Sequence, residues 1–285
     1  MPRLLTVGHV TWDRRGRDDV LGGSVTYGSL AALKLGWEAG ALTSAGPDFE
    51  PARDLAGVEV FVSRAPSTTR FQNDYDAEGT RRQVLSARAD DVELAPLPDR
   101  WRNPEALLLG PVAGELPGFQ VSAFEAGGVG AIGQGWLREV AADGSVTPRG
   151  WPTAARDLAG VHVLFLSEFD LPRGAAARDF LQFVPIVVLT RGWEGVTLFT
   201  HDAARDIPSL PRQEVDPTGA GDVFAAAFLV RYHEVGDPEE ACVFAACAAS
   251  CVVEGIGTST LGDRAEVLRR MVMRERLTEE GEWDE

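Results

Sequence analysis

The amino-acid sequence predicts an α/β protein built on a large, mainly parallel β-sheet. Short apolar runs of strand length recur along the 285 residues. They are continuous rather than alternating, the pattern of strands buried on both faces. Segments with helical spacing fall between them, as crossover connections require. RLLTVGHV (3–10) is the first strand, ended by polar residues. SVTYGSLAALKLG (24–36) has apolar residues at helical spacing and stops at Gly36, a C-terminal cap. EALLLGPV (105–112), VGAIGQG (129–135), VHVLFLSE (161–168), IVVLTRG (186–192) and VTLFTHD (196–202) follow as buried strands, with RGAAARDFLQF (173–183) as a crossover helix. One stretch departs: STTRFQNDYDAEGTRRQVLSARADD (67–91) contains two polar, partly alternating strands around the turn DAEG, which predicts an exposed hairpin placed like a lid. Ligands in such sheets bind at the carboxyl ends of the strands.

Composition excludes several function classes. A net charge of -16 without a local basic patch argues against nucleic acid or an anionic membrane as partner. Of the 27 basic residues only Lys34 is lysine, so no phosphate-loop lysine is available and a Walker-type loop is absent. Cys242, Cys247 and Cys251 lie in the apolar run EEACVFAACAASCVVE without a nearby His or a CxxC, which marks small core residues rather than a zinc or redox site. An odd cysteine count, no N-terminal apolar signal and no run of ~18 apolar residues predict a cytoplasmic protein. The acidic end LTEEGEWDE predicts a solvated tail.

The chemistry concentrates in VDPTGAGDVFAAAFLV (215–230). Pro217 stops any preceding helix, Gly219 and Gly221 permit backbone shapes closed to other residues, and Val223, Phe224, Ala227, Phe228 and Val230 mark one face of a following helix. The N–H groups of Gly219, Ala220 and Gly221 converge with the positive end of the helix dipole to make an anion hole. Asp222 stands beside it. An acid there is either an N-cap or the carboxylate that orients and deprotonates an alcohol during phosphoryl transfer, and its company favours the second.

DPTGAGD, the pair Gly22-Gly23 in LGGSVTYGS, and TRGWEG (190–195), in that order, resemble the signatures of the ribokinase-like (PfkB) carbohydrate kinases over nearly the whole chain. The resemblance implies a three-layer ribokinase-like fold over 1–285, a large mainly parallel sheet flanked by helices, with a small β lid from about 13–20 and 67–88. It implies Asp222 as catalytic base, with Gly219, Ala220 and Gly221 as the anion hole. Asp13 in HVTWD and the pair Gly22 and Gly23 then bind the acceptor, while Thr190, Gly192 and Gly195 line the ATP site. Ser167-Glu168-Phe169-Asp170 stands where relatives have Asn-x-x-Glu, so Ser167 and Asp170 become the candidates for ordering Mg2+. Asp216 and Thr218, with the backbone of 255–258, match a potassium (K+) site.

Tyr27 replaces the asparagine that binds sugar in ribokinases. GQGWLREV (133–140) is similar to the Gln-x-x-x-Arg stretch of myo-inositol 3-kinases, which makes Gln134 and Arg138 acceptor-binding candidates; the alternative for Arg138 is a surface arginine at a helix start. The resulting expectation is ATP-dependent phosphorylation of a small sugar or polyol. A nucleoside kinase remains open because Trp12, Tyr27 and Phe71 fall near the site, as does a non-catalytic sensor because the magnesium motif is altered. Lids in this family often pair, which implies a homodimer.

Overall fold

The computed structural model describes residues 1–75 and 81–280. In chain order the elements are β1 (Arg3–Val7), β2 (Thr11–Arg15), β3 (Asp18–Gly22), α1 (Ser24–Lys34), β4 (Glu38–Ala45), α2 (Pro51–Asp54), β5 (Glu59–Arg64), β6 (Thr69–Tyr75), β7 (Arg81–Ala87), β8 (Ala106–Leu109) and β9 (Gly128–Ile132). Then come β10 (Arg138–Val140), β11 (Val146–Pro148), α3 (Ala154–Asp157), β12 (Val163–Ser167), β13 (Ile186–Thr190), β14 (Val196–Phe199), β15 (Ala204–Ile207), α4 (Ala220–Val235), α5 (Pro238–Val252) and α6 (Arg264–Glu280).

Nine strands form one sheet in the order β15-β14-β13-β12-β9-β8-β1-β4-β5. Every pair from β13 to β5 is parallel, and at the other edge β14 alone runs against the rest, pairing antiparallel with both β13 and β15. Two-residue alternation divides each central strand between two cores. Leu4, Val163 and Phe165 face the layer of α1, α4 and α5, whereas Leu5, Leu164 and Leu166 face a layer that contains Trp101, Trp136 and Trp151. Burial on both faces is the reason these strands read as unbroken apolar runs.

A second sheet, in the order β3-β2-β6-β7, is the lid. The two polar strands expected within 67–91 are β6 and β7, and the arm β2–β3 meets them through a parallel β2–β6 pair. The DAEG turn lies outside the described residues.

Several expectations change. Segment 173–183 forms no α-helix but a short 3-10 stretch over Ala177–Gln182, since Gly174 sits at φ 83, outside helical geometry. The expected apolar face of 223–230 is instead a helix buried all round, because α4 is enclosed by the sheet, α1 and α5. The first residues of the acidic tail, through Glu280, complete α6. Strands β4, β5 and β15 went unforeseen, and Cys242, Cys247 and Cys251 are buried free thiols in α5.

Candidate active site

The loop before α4 is shaped by Gly219. It is the helix N-cap at φ 82 and ψ −3, a left-handed conformation, and a Cβ there would fall 2.3 Å from the Tyr27 ring. Glycine is required on both counts. With Gly219 as N-cap, Asp222 lies inside the first turn, so the capping alternative for this acid falls away. Ala220 N–H donates to Pro217 O (3.2 Å), which commits one of the three expected anion-hole donors to the turn. Gly221 is exposed, and nothing lies within 4 Å of where its Cβ would be, so open space covers the loop. First-turn N–H groups have no intrahelical acceptor and point outward toward it.

Asp222 keeps some contact with solvent, but burial of its carboxyl pushes its pKa up to about 6. The Ser24 hydroxyl and the Arg138 charge work against that rise, whereas the carboxylates of Asp13 and Asp170 add to it. Five side chains from five places in the chain therefore converge: Asp13 of β2, Ser24 of α1, Arg138 of β10, Asp170 after β12, and Asp222 of α4. A carboxyl with this value is ionised at neutral pH yet basic enough to accept an alcohol proton.

On the β2 side of Asp222, Asp13 is buried and accepts a hydrogen bond from the Thr11 hydroxyl (2.9 Å). The glycine pair is fixed by close approach. A Cβ on Gly22 would lie 2.4 Å from an Asp13 carboxylate oxygen, and one on Gly23, at φ 87, would lie 2.4 Å from His9 O. Ser24 Oγ and Trp12 Nε1, both buried, have no hydrogen-bond partner of ordinary geometry. Tyr27 is 1% exposed: its ring supports Gly219, and its hydroxyl is held above the ordinary phenol range by burial first and then by Asp216, Asp13 and Asp222. The structure thus places Tyr27 in the wall beneath the loop.

Arg138 opens strand β10, not a helix. Its guanidinium lies 3.6 Å from Asp170, donates to Val112 O (3.4 Å) and sits 6.0 Å over the Phe71 ring of the lid. Gln134, in the 3-10 turn Gly133–Gly135 at the carboxyl end of β9, is half-buried.

A second group of candidate residues lies at the ends of β12 and β13. Ser167 Oγ accepts the Phe169 N–H (3.3 Å), and the Asp170 N–H donates to Ser167 O (3.1 Å). The Thr190 hydroxyl donates to Leu166 O (3.2 Å), and Gly192 adopts φ 54. Gly195, at φ 97, has an internal reason to be glycine, since a Cβ would lie 2.2 Å from Ile207 O. Among the described residues no group of three His, Cys, Asp or Glu forms a metal cage.

Asp216 is 5% exposed and fully engaged: it accepts the Thr218 N–H (3.0 Å) and the Gly257 N–H (3.4 Å), and pairs with the Arg15 guanidinium at 2.6 Å. Burial alone would raise its pKa, but Arg15 and Thr218 overcome that and hold it below the usual carboxylate value.

Sequence reasoning missed two groups. Arg15 had no signal beyond its place in the RRGR run of the lid arm. The fully buried Glu115 accepts the N–H groups of His9 (2.8 Å), Val112 (3.0 Å) and Ala113 (2.7 Å), tying the loop after β1 to the loop after β8. His9 Nε2 donates to Asp90 O (2.8 Å) while Nδ1 meets the Thr69 hydroxyl (2.7 Å) of β6, which joins the main sheet to the lid. A lone Glu in GELPG carries no periodic or motif signal.

Residues 145–264, which contain Ser167, Asp170, Thr190, Gly192, Gly195 and the whole DPTGAGD loop, match the pfkB family carbohydrate kinase profile. A nucleoside kinase of Methanothermobacter thermautotrophicus is 40% identical over 86 residues, a segment that spans 30% of this chain and 28% of that enzyme. A cytidine kinase of Thermococcus kodakarensis is 26% identical over 84% of this chain and 91% of its own length. Among solved structures, a pyrophosphate-dependent kinase in the ribokinase family, complexed with a pyrophosphate analog and myo-inositol, superposes with a TM-score of 0.77 at 22% identity over 93% of this chain and 99% of that one. At that identity the likeness establishes the fold, which is ribokinase-like.

Proposed function

We propose that this chain, which carries a pfkB family carbohydrate kinase domain on a ribokinase-like fold, transfers the γ-phosphoryl group of ATP to a hydroxyl of a small sugar or polyol, with myo-inositol the first candidate. The observation that carries this reading is Asp222. Its carboxyl, pushed up to about 6, stands in the first turn of a helix whose cap is forced open by Gly219 and lies within electrostatic reach of Asp13 and Arg138. Base, anion hole and acceptor acid are the parts phosphoryl transfer to an alcohol needs.

In this mechanism Asp13 and Ser24 accept from and donate to acceptor hydroxyls, and Gln134 and Arg138 complete the polar wall. Asp222 takes the proton of one hydroxyl; its oxygen bonds to the γ-phosphorus as the bond to the bridging oxygen of ADP breaks, and the proton remains on Asp222 until released. The backbone N–H groups of Gly219 and Gly221 receive the charge that builds on the transferred group. Thr190, Gly192 and Gly195 border the nucleotide. Asp170 and Ser167 would hold magnesium brought in with the donor, and the ion would supply neutralisation of phosphate charge. The lid strands β2 and β6 carry Asp13 and Phe71 over the acceptor and exclude water. Pairing of lids between two copies belongs to the same reading and is checked by sedimentation.

Two observations favour a second reading. A relative that matches 84% of the chain is named a cytidine kinase, which favours a nucleoside acceptor; a similar solved structure with myo-inositol is of a pyrophosphate-dependent enzyme, which favours another donor. One experiment separates them: product formation with magnesium across myo-inositol, ribose, fructose, 2-keto-3-deoxygluconate, adenosine and cytidine, with ATP and with pyrophosphate. Turnover of a polyol with ATP supports the proposal. Turnover of cytidine, or with pyrophosphate alone, replaces its acceptor or donor. Ligand binding without any transfer overturns the kinase reading in favour of a sensor.

A further inference from the structure

The DPTGAGD loop begins at a buried carboxylate that needs a positive partner, because an unpaired charge at 5% exposure is costly. Two partners are chemically available to Asp216: a metal ion held with the Thr218 hydroxyl and neighbouring carbonyls, or a side chain. The side chain is in place. Arg15 of the lid strand β2 reaches across to the loop, where Nη2 lies 2.6 Å from Asp216 Oδ2 and 2.8 Å from Thr218 Oγ1.

The rest of the pocket is arranged against an ion. The Gly257 N–H points its positive end at Asp216 Oδ2 (3.4 Å). Val253 O already accepts two N–H groups, from Val215 (2.8 Å) and Asp216 (3.1 Å), and Ile256 O accepts the N–H (3.4 Å) and hydroxyl (2.8 Å) of Ser259. The other groups that face Arg15 are the neutral Tyr27 phenol and Asp13, whose carboxylate adds negative potential for the guanidinium; neither is a carbonyl oxygen. The monovalent-cation site expected from the sequence therefore does not fit these residues as they stand.

The geometry points to Arg15 as a built-in cation that takes the place of a monovalent metal ion at the start of the anion-hole loop. Arg15 and Asp13 share one face of β2, being two residues apart on a strand. The same contact thus couples the acceptor-binding strand to the loop of Gly219 and Asp222. Resting on the kinase reading, Arg15 is a positioning residue: it fixes the loop and lid relative to each other and makes turnover independent of potassium.

The test compares wild type, Arg15→Ala and Arg15→Lys in potassium, ammonium or tetramethylammonium chloride at equal ionic strength, by turnover and by thermal melting. Wild type is expected to show the same kcat and Tm in all three salts. Arg15→Ala is expected to lose at least about tenfold in kcat, with a smaller change in the acceptor KM, because a displaced anion hole acts on the transition state. Potassium or ammonium, entering the vacated space, restores part of that rate and raises the variant's Tm, since an ion that binds only the native state stabilises it. Arg15→Lys retains most activity. Several-fold activation of wild type by potassium overturns the proposal. So does Arg15→Ala with wild-type turnover, or a loss that no cation reverses in rate or melting. If the protein transfers phosphate to no acceptor, the melting comparison still decides the question, which keeps failure of this inference distinct from failure of the kinase reading. If Arg15→Ala does not fold, the salt response of wild type and Arg15→Lys decides it.

Discussion

Replacing Asp222 by Asn tests the catalytic assignment and the electrostatics together. The change keeps shape and most hydrogen bonding but removes the base. General-base contributions of about 10²–10⁴ in rate predict a kcat loss of that size with little effect on donor affinity. Stability moves the other way. The folded carboxyl has a pKa of about 6 against an ordinary 3.8, mainly through burial, so ionising it disfavours the native state. A rise of about two pH units at 1.36 kcal/mol each amounts to at most about 3 kcal/mol, and partial solvent contact reduces it to roughly 1–3 kcal/mol. For a raised carboxylate that stability is present below the unfolded pKa and is lost as pH rises through about 6, so the wild type carries the penalty at pH 7. Asp222→Asn should then melt about 2–6 °C higher at pH 7, and the difference should shrink toward pH 4. Wild-type kcat should fall on the acid side with a midpoint near 6. The assays are product release across pH and differential scanning calorimetry. A variant within tenfold of wild-type turnover, or one that melts lower at pH 7, refutes the reasoning.

Further substitutions probe the supports. Gly219→Ala, at φ 82 and facing the Tyr27 ring at 2.3 Å, should lower both Tm and kcat, whereas Gly221→Ala, facing open space, should keep Tm and lose rate; equal melting losses for the two would refute the loop geometry. Arg138→Ala removes a charge that lowers the Asp222 pKa, so the acid limb of the rate profile should move to higher pH, and an unmoved limb would place Arg138 outside the site. Glu115→Ala strips the carboxylate from three buried N–H groups and should cost about 2–4 kcal/mol in urea unfolding, with loss below 1 kcal/mol as the contrary result.

Much of the fold was legible because both faces of the central strands are covered: the runs at 105–112, 161–168 and 186–192 have no polar face to hide their period. Strands β4 and β5 escaped notice because EAGALTSA and EVFVSR mix small, polar and charged residues whose burial only the neighbouring α1 and lid reveal. The 173–183 segment misled through alanine-rich helix propensity, which Gly174 and a short connection overrode.

The sequence alone determined the chemistry of the loop: a proline, a glycine able to take φ 82, and an acid in the next turn are local constraints of the backbone, readable wherever they occur. Tertiary structure decided which charges face one another. It brought Arg15 from the lid arm to Asp216, set Arg138 against Asp170 and Phe71, and lifted the Asp222 pKa by enclosing it with groups distant in the chain. Charge interactions depend on distance and on the exclusion of water, and both are fixed only when the strands that carry those residues have packed.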